Sequence, residues 1–204
     1  MKIICVGRNY ADHARELKNE IPNEPVLFLK PETALLPKNH PFIYPGHTSD
    51  LHYELELVLR IKKLGKHINA KFAHKYYDQI GLGIDFTARD VQKECKAKGL
   101  PWEKAKAFDH SAILSRKLVK IGDLQNPSDI QFELVKNGES VQNGSSSHMI
   151  FNFSQLISYI SQYFTLKIGD LIFTGTPAGV GPVQKGDKLE GILEGEKLLE
   201  INIK

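Results

Sequence analysis

Glu54 and Glu56 stand two residues apart in the run Tyr53-Glu54-Leu55-Glu56-Leu57-Val58-Leu59, the most informative chemistry in the chain. In a β-strand, residues i and i+2 point to the same face. Leu55, Leu57 and Leu59 therefore share a face that reads as core, and the two carboxylates lie side by side on the other. Adjacent like charges repel, and burial raises the cost. A hard divalent cation with oxygen ligands is the natural neutraliser. Taken alone, the pair reads better as an antiparallel strand with a solvated polar face.

A third acid shifts that balance. The apolar, glycine-rich run Gln79 to Thr87 is about strand length, and Asp85 is its one acid. Glycine inside a strand marks close approach of another backbone or a ligand. An acid in a buried strand needs a partner. Glu54, Glu56 and Asp85 together would leave roughly half of an octahedral Mg²⁺ shell for water or substrate oxygens. Metal-assisted chemistry needs such an open shell. The competing assignment for Asp85 is a turn or helix-capping residue before Thr87.

Other side chains have the spacing for chemistry. His13 and Glu16 are three apart in a helix expected over Tyr10 to Lys18, so they share a face. The carboxylate can orient the imidazole, and the pair can activate water as a general base. By itself, a surface pair on a solvated helix face is the better reading. Lys106, among small and aromatic residues from Trp102 to Asp109, reads as a partly buried ammonium, with Lys104 its solvent-facing counterpart. Such a cation can hold a substrate carboxylate or a developing enolate oxygen. Arg89 and Gln92, on one face of the helix after Asp85, suit a carboxylate-bearing substrate; the alternative is a polar helix face. His47 and His52 flank the glutamate strand and are left out, because hard-oxygen sites rarely need histidine.

The elements that must position these residues are mostly strands. Strands are expected at Ile3 to Val6, Val26 to Lys30, Tyr53 to Ile61, Gln79 to Phe86, Gln131 to Lys136, Leu171 to Thr174, Lys188 to Leu193 and Leu198 to Ile203. Asn137-Gly138 is a hairpin signal. Thr87-Ala88-Arg89-Asp90 resembles a capping box opening a helix to about Lys98, which Gly99-Leu100-Pro101 stops. Short helices are expected at Ala70 to Tyr77 and Phe153 to Tyr163. The proline-broken stretch Pro31 to Asp50 reads as a long loop. Strands outnumber helices without βα alternation, so the class is β-rich α+β.

Composition removes other functions. With 204 residues, one domain over 1–204 is expected. A charged fraction of 25% is ordinary for a globular chain, which argues against disorder. The net charge of +3 comes with lysines spread along the sequence, so no concentrated basic face points to nucleic acid. No apolar run approaches a membrane span, and the N-terminus lacks a signal-peptide pattern, so a cytoplasmic protein is expected. Cys5 and Cys95 show no zinc spacing or disulfide framework and are expected to be reduced. The cluster Gly175-Thr176-Pro177-Ala178-Gly179-Val180-Gly181 lacks the Lys-Ser/Thr of a P-loop. Gly81-Leu82-Gly83 has Phe86 where a dinucleotide fingerprint needs its third glycine. Backbone amides or Thr176 in the former loop could contact a small anion, or the loop is an ordinary turn.

Taken together, these segments resemble the fumarylacetoacetate hydrolase family. The resemblance rests on Cys5 through His13, Glu54-Leu55-Glu56, Asp85 through Gln92, Trp102 through Phe108, Asn137-Gly138, Gly169-Asp170 and Gly175 through Gly181, in that order. It is to the short, single-domain acylpyruvase and oxaloacetate decarboxylase type. It implies a mixed β-sandwich or β-roll, a homodimer, and Mg²⁺ or Mn²⁺ on Glu54, Glu56 and Asp85. It also implies a His13–Glu16 dyad on a lid, and Lys106, Arg89, Gln92 and Thr176 around the 2-oxo acid end. The expected chemistry runs through an enolate: cleavage of the C3–C4 bond of acylpyruvates, or decarboxylation or tautomerisation of oxaloacetate. The runner-up is an isomerase or decarboxylase of hydroxymuconate-type dioates. From another class, a non-catalytic metal-binding protein is the alternative.

Overall fold

The computed structural model describes residues 1–16 and 20–204. The strands are β1 (Ile3–Gly7), β2 (Val26–Lys30), β3 (Leu51–Tyr53), β4 (Leu55–Ile61), β5 (Tyr77–Asp85), β6 (Thr87–Ala88) and β7 (Ala112–Leu114). They continue with β8 (Val119–Lys120), β9 (Gln131–Lys136), β10 (Glu139–Ser145), β11 (Leu171–Phe173), β12 (Gly181–Pro182), β13 (Lys188–Leu193) and β14 (Glu196–Asn202). Helices are few: α1 (Ala11–Glu16), α2 (Arg89–Ala97), α3 (Glu103–Lys106) and α4 (Phe153–Tyr163). This is the β-rich α+β architecture expected, and no helix among the described residues is long and apolar enough to cross a membrane.

One sheet runs β2-β1-β11-β4-β5-β7, with β8 also on β5; a second runs β10-β9-β13-β14; a short third joins β12, β3 and β6. The β1–β11 pair is parallel and the other pairs are antiparallel. The two larger sheets pack face to face, β13 and β14 on β5 and β9 on β4. Leu55, Leu57 and Leu59 enter the shared core beside Leu82, Phe132, Leu134 and Leu189, as their alternation requires.

The opposite face of the large sheet is not solvated. Ile3, Cys5, Val58, Ala112, Leu171 and Phe173 form a second apolar cluster there. A strand buried on both faces reads as nearly continuous hydrophobic sequence, and β4 is such a strand. This overturns the solvated-face reading of the two glutamates. The strand itself is interrupted at Glu54, between β3 and β4. Glycines in β5 make room for side chains, not for a ligand: a Cβ on Gly83 would lie 2.4 Å from Phe173 and 2.7 Å from Val58.

Several local expectations hold in detail. The Asn137-Gly138 turn has both residues at positive φ, 53° and 88°, and joins β9 to β10. The helix expected over Phe153 to Tyr163 forms as α4, and the structure adds a capping box of Asn152 with Gln155 at its start. The box proposed at Thr87 does not form: Ala88 precedes α2 without a side-chain cap, Thr87 Oγ1 donates to Glu54, and Asp90 accepts from Thr48 and Ser49. The short helix at Ala70 is a 3-10 segment, Ala70–Lys75. The helix expected over Tyr10 to Lys18 is present as α1; Leu17 and Lys18 lie outside the described residues.

Candidate active site

The carboxylates converge because adjacent antiparallel strands carry them. β4 and β5 pair with Leu55 opposite Ile84 and Glu56 opposite Gly83, which sets Asp85 beside Glu54 at the strand ends. The Asp85 N–H donates to the Glu54 carbonyl at 2.9 Å and fixes that corner. One carboxylate oxygen from each of Glu54, Glu56 and Asp85 lies within 4.8 Å of the others. All three side chains are buried.

Each acid has a different electrostatic neighbourhood. Glu54 Oε2 accepts from Lys106 Nζ at 2.9 Å; Oε1 accepts from Arg89 Nη2 at 2.5 Å and from Thr87 Oγ1 at 2.8 Å. Burial raises its pKa, but Lys106 and Arg89 overcome this and hold it well below the carboxylate range. Asp85 Oδ2 accepts from Lys106 Nζ at 2.7 Å. Glu56 has no ion pair among the described residues and accepts the Gly175 N–H at 2.7 Å. Burial, then the Asp85 and Glu54 charges, push its pKa well above the ordinary value.

The donor set fits a divalent cation. It is all oxygen and buried, and Glu56 has no cation paired with it among the described residues. Asp85, by contrast, pairs through Oδ1 with Lys30 Nζ at 2.8 Å.

The remaining residues close around this corner. One cavity of about 40 Å³ is lined by His13, Glu54, Glu56, Asp85, Arg89, Gln92, Lys106 and Thr176. Of the residues assigned to the site from the sequence, the cavity lining lacks Glu16 alone, and Glu16 Oε2 lies 3.3 Å from His13 Nδ1. The pair straddles the surface: Glu16 is exposed, whereas His13 is buried, and its burial lowers the imidazole pKa, an effect that Glu54 and Glu16 offset in part. The Glu16 carboxylate also accepts the Gly179 N–H, at 3.1 Å to one oxygen, so α1 is tied to the glycine-rich loop. Two amides of that loop are taken by the protein's own carboxylates: the Gly175 N–H donates to Glu56 and the Gly179 N–H to Glu16. Arg89 Nη1 donates to Gln92 Oε1 at 3.0 Å, which aligns these two on α2. Lys106 is fully buried, more so than expected, and Lys104 is exposed. His47 packs against Phe108 and His52 bonds Asp50, and neither joins the cavity lining.

Lys30 escaped the sequence reading. It ends the apolar strand β2, yet its ammonium is buried and donates to Lys106 O, Ser111 O and Ser111 Oγ. Phe28, two residues earlier on the same face, puts its ring 5.2 Å from Lys106 Nζ. The i, i+2 relation between Phe28 and Lys30 was the available signal.

Curled β-sheets enclosing a buried cluster of three carboxylates, flanked by a lysine and an imidazole–carboxylate pair, define a class of enzyme. The chain belongs to the fumarylacetoacetate hydrolase family: the fumarylacetoacetate (FAA) hydrolase C-terminal profile matches residues 2–202. It is 46% identical over 193 residues to the oxaloacetate tautomerase FAHD1, mitochondrial, of Bos taurus, covering 95% of this chain and 87% of that protein. The crystal structure of fumarylpyruvate hydrolase from Pseudomonas aeruginosa in complex with Mn²⁺ and pyruvate superposes with a TM-score of 0.93 at 36% identity, covering 100% of this chain and 89% of the other. A 5-carboxymethyl-2-hydroxymuconate delta-isomerase structure from Mycobacterium smegmatis has a TM-score of 0.86 at 35% identity, covering 99% and 78%.

Proposed function

We propose that this chain is a divalent-metal-dependent enzyme that acts on small 2-oxo acids through an enolate. Its reactions are tautomerisation or decarboxylation of oxaloacetate and C3–C4 cleavage of acylpyruvates. The observation that carries this reading is Lys106 Nζ within 2.9 Å of Glu54 and 2.7 Å of Asp85, in one cavity with Glu56, His13 and Arg89. A scaffold for a metal has no use for a buried ammonium and a buried imidazole beside it.

Glu54, Glu56 and Asp85 would hold Mg²⁺ or Mn²⁺, which supplies Lewis-acid polarisation of the 2-oxo group. Arg89, Gln92 and Thr176 bind and orient the substrate carboxylate end. Lys106 places a positive charge where the enolate oxygen develops. His13, oriented by Glu16, takes a proton: from water in hydrolysis, from C3 in tautomerisation. Decarboxylation breaks the C3–C4 bond of oxaloacetate, releases CO₂, leaves the enolate of pyruvate and needs no attacking water. The reading includes a single catalytic domain over 1–204, a homodimer and a cytoplasmic location. Isomerisation of hydroxymuconate-type dioates is the second reading, which the likeness to the M. smegmatis isomerase supports.

The test is turnover of oxaloacetate and acetylpyruvate side by side, with Mg²⁺ and then with excess chelator. Conversion of either that chelator abolishes is the expected result. No conversion of either with metal bound would overturn the reading and move the assay to hydroxymuconate-type dioates.

A further inference from the structure

Gln142 belongs to the second sheet, on β10, yet its side chain reaches the site. The pairing of β10 with β9 shifts register between Ser140 and Gln142. A bulge of this kind re-aims a side chain, and here Gln142 turns fully inward, 1% exposed. Its Oε1 accepts the Leu55 N–H at 2.9 Å, between the two glutamates on the neighbouring sheet. Its Nε2 donates to Thr176 Oγ1 at 2.8 Å and to the Pro177 carbonyl at 3.0 Å.

This set of partners leaves the amide one orientation. Leu55 N–H can only donate and the Pro177 carbonyl can only accept, so a flipped amide would break both bonds. Nε2 therefore faces Thr176, and the Thr176 hydroxyl must accept from it. The hydroxyl proton is left over. Among the described residues no acceptor takes it, and Thr176 lines the cavity with Arg89, Gln92 and Lys106.

We propose that Gln142 is a positioning residue that keeps the Thr176 hydroxyl proton free for an anionic oxygen of the 2-oxo acid. The proposal rests on the functional reading above, in which Thr176 contacts substrate. It goes further by assigning the direction of that hydrogen bond and the residue that sets it.

Glutamate at this position reverses the polarity without changing the shape. In Gln142→Glu the new carboxylate oxygen captures the Thr176 proton, while the other oxygen still accepts from Leu55. The probe is pyruvate, titrated calorimetrically at saturating Mn²⁺, with oxaloacetate turnover recorded in parallel. Pyruvate Kd is expected to rise about tenfold or more in Gln142→Glu and in Thr176→Val, a hydrogen bond to a charged group being lost. Thr176→Ser, which keeps the hydroxyl, stays near the parent. In the Thr176→Val background Gln142→Glu adds less than about twofold, because the two changes remove one interaction. Equal weakening in both backgrounds would mean a general charge effect and overturn the proposal. So would parent-like binding by a folded Gln142→Glu. Should that variant not fold, parent-like binding by Thr176→Val is still fatal to it. A parent that binds pyruvate in the expected pattern, yet converts no oxo acid, fails the functional reading and leaves the hydrogen-bond assignment supported.

Discussion

Lys30 Nζ lies 2.8 Å from Asp85 Oδ1, while Lys106 Nζ holds Oδ2 of the same carboxylate at 2.7 Å. One buried acid is shared between two buried ammoniums that come from different elements, β2 and α3. Lys30 also fixes the carbonyl of Lys106, so the two lysines cannot move independently. Breaking a buried pair by removing one partner leaves a charge uncompensated. Lys30→Met is expected to cost about 3 kcal/mol of stability, read from urea unfolding of the metal-free protein. A change within about 0.5 kcal/mol, the size of an ordinary surface substitution, would show that Lys30 compensates nothing.

The two glutamates should give opposite pH dependences. Glu56 is raised above its ordinary value near 4.5, by burial first and then by Asp85 and Glu54. Folded protein therefore keeps a proton that the unfolded chain has released. Its contribution to stability is full below 4.5 and is lost as pH rises through the raised value. Glu54, held down by Lys106 and Arg89 against its burial, contributes above 4.5, and this is lost as pH falls through its lowered value. Melting temperature in chelator should thus decline with pH on the alkaline side of 4.5, and Glu56→Gln should abolish that decline. The same proton must leave when a divalent ion binds, so apparent Mn²⁺ affinity should rise over that window in the parent. A melting profile unchanged by Glu56→Gln would refute the assignment.

His13 is poised to accept a proton at neutral pH. Burial lowers its pKa below 6.5, against the partial opposition of Glu54 and Glu16. The rate of acetylpyruvate hydrolysis should fall at acid pH along a limb centred below 6.5. His13→Asn should remove that limb and lower kcat by about 10²–10⁴-fold, with Mn²⁺ affinity retained. Survival of the limb in the variant would assign it to another group.

Gly175 combines a left-handed conformation with a close approach to its neighbours. Its φ is +101°, and a Cβ would lie 2.7 Å from Asn9 Cβ. Its N–H holds Glu56. Gly175→Ala should cost at least about 1–3 kcal/mol in strain and also weaken Mn²⁺ binding. Gly169, at φ +88° with nothing within 4 Å, is the control: Gly169→Ala should carry strain alone and leave metal affinity intact. Equal metal affinity in both variants would exclude a role for the Gly175 amide.

What the sequence made legible is what depends on neighbours along the chain. The i, i+2 glutamates, the Asn137-Gly138 turn and helix α4 all follow from local spacing. Arg89 and Gln92 met on one face of α2 for the same reason. Interactions made across the fold were not readable. Thr87 was read as a local cap because Asp90 follows three residues later, yet its hydroxyl goes to Glu54, across the strand ends. Lys30 was only the last residue of an expected strand, and it is the packing of β2 beside Ser111 and Lys106 that buries it. Gln142 is one polar residue in a polar-rich hairpin until a bulge turns it inward.

The parallel pairing of β1 with β11 has a consequence for biosynthesis. Ile3, Ile4 and Cys5 take Leu171, Ile172 and Phe173 as their register partners, and β11 in turn pairs with β4. While the chain is being synthesised, the first strand must therefore wait until the ribosome has released residues beyond Phe173 before its inner edge is covered. Through that interval β1 has β2 on one side and an open edge on the other, and β4, which bears Glu56, is unflanked on the side β11 will occupy. Nascent chains stalled before Leu171 should lack the closed sheet, and an exposed apolar edge of this kind is what chaperones bind.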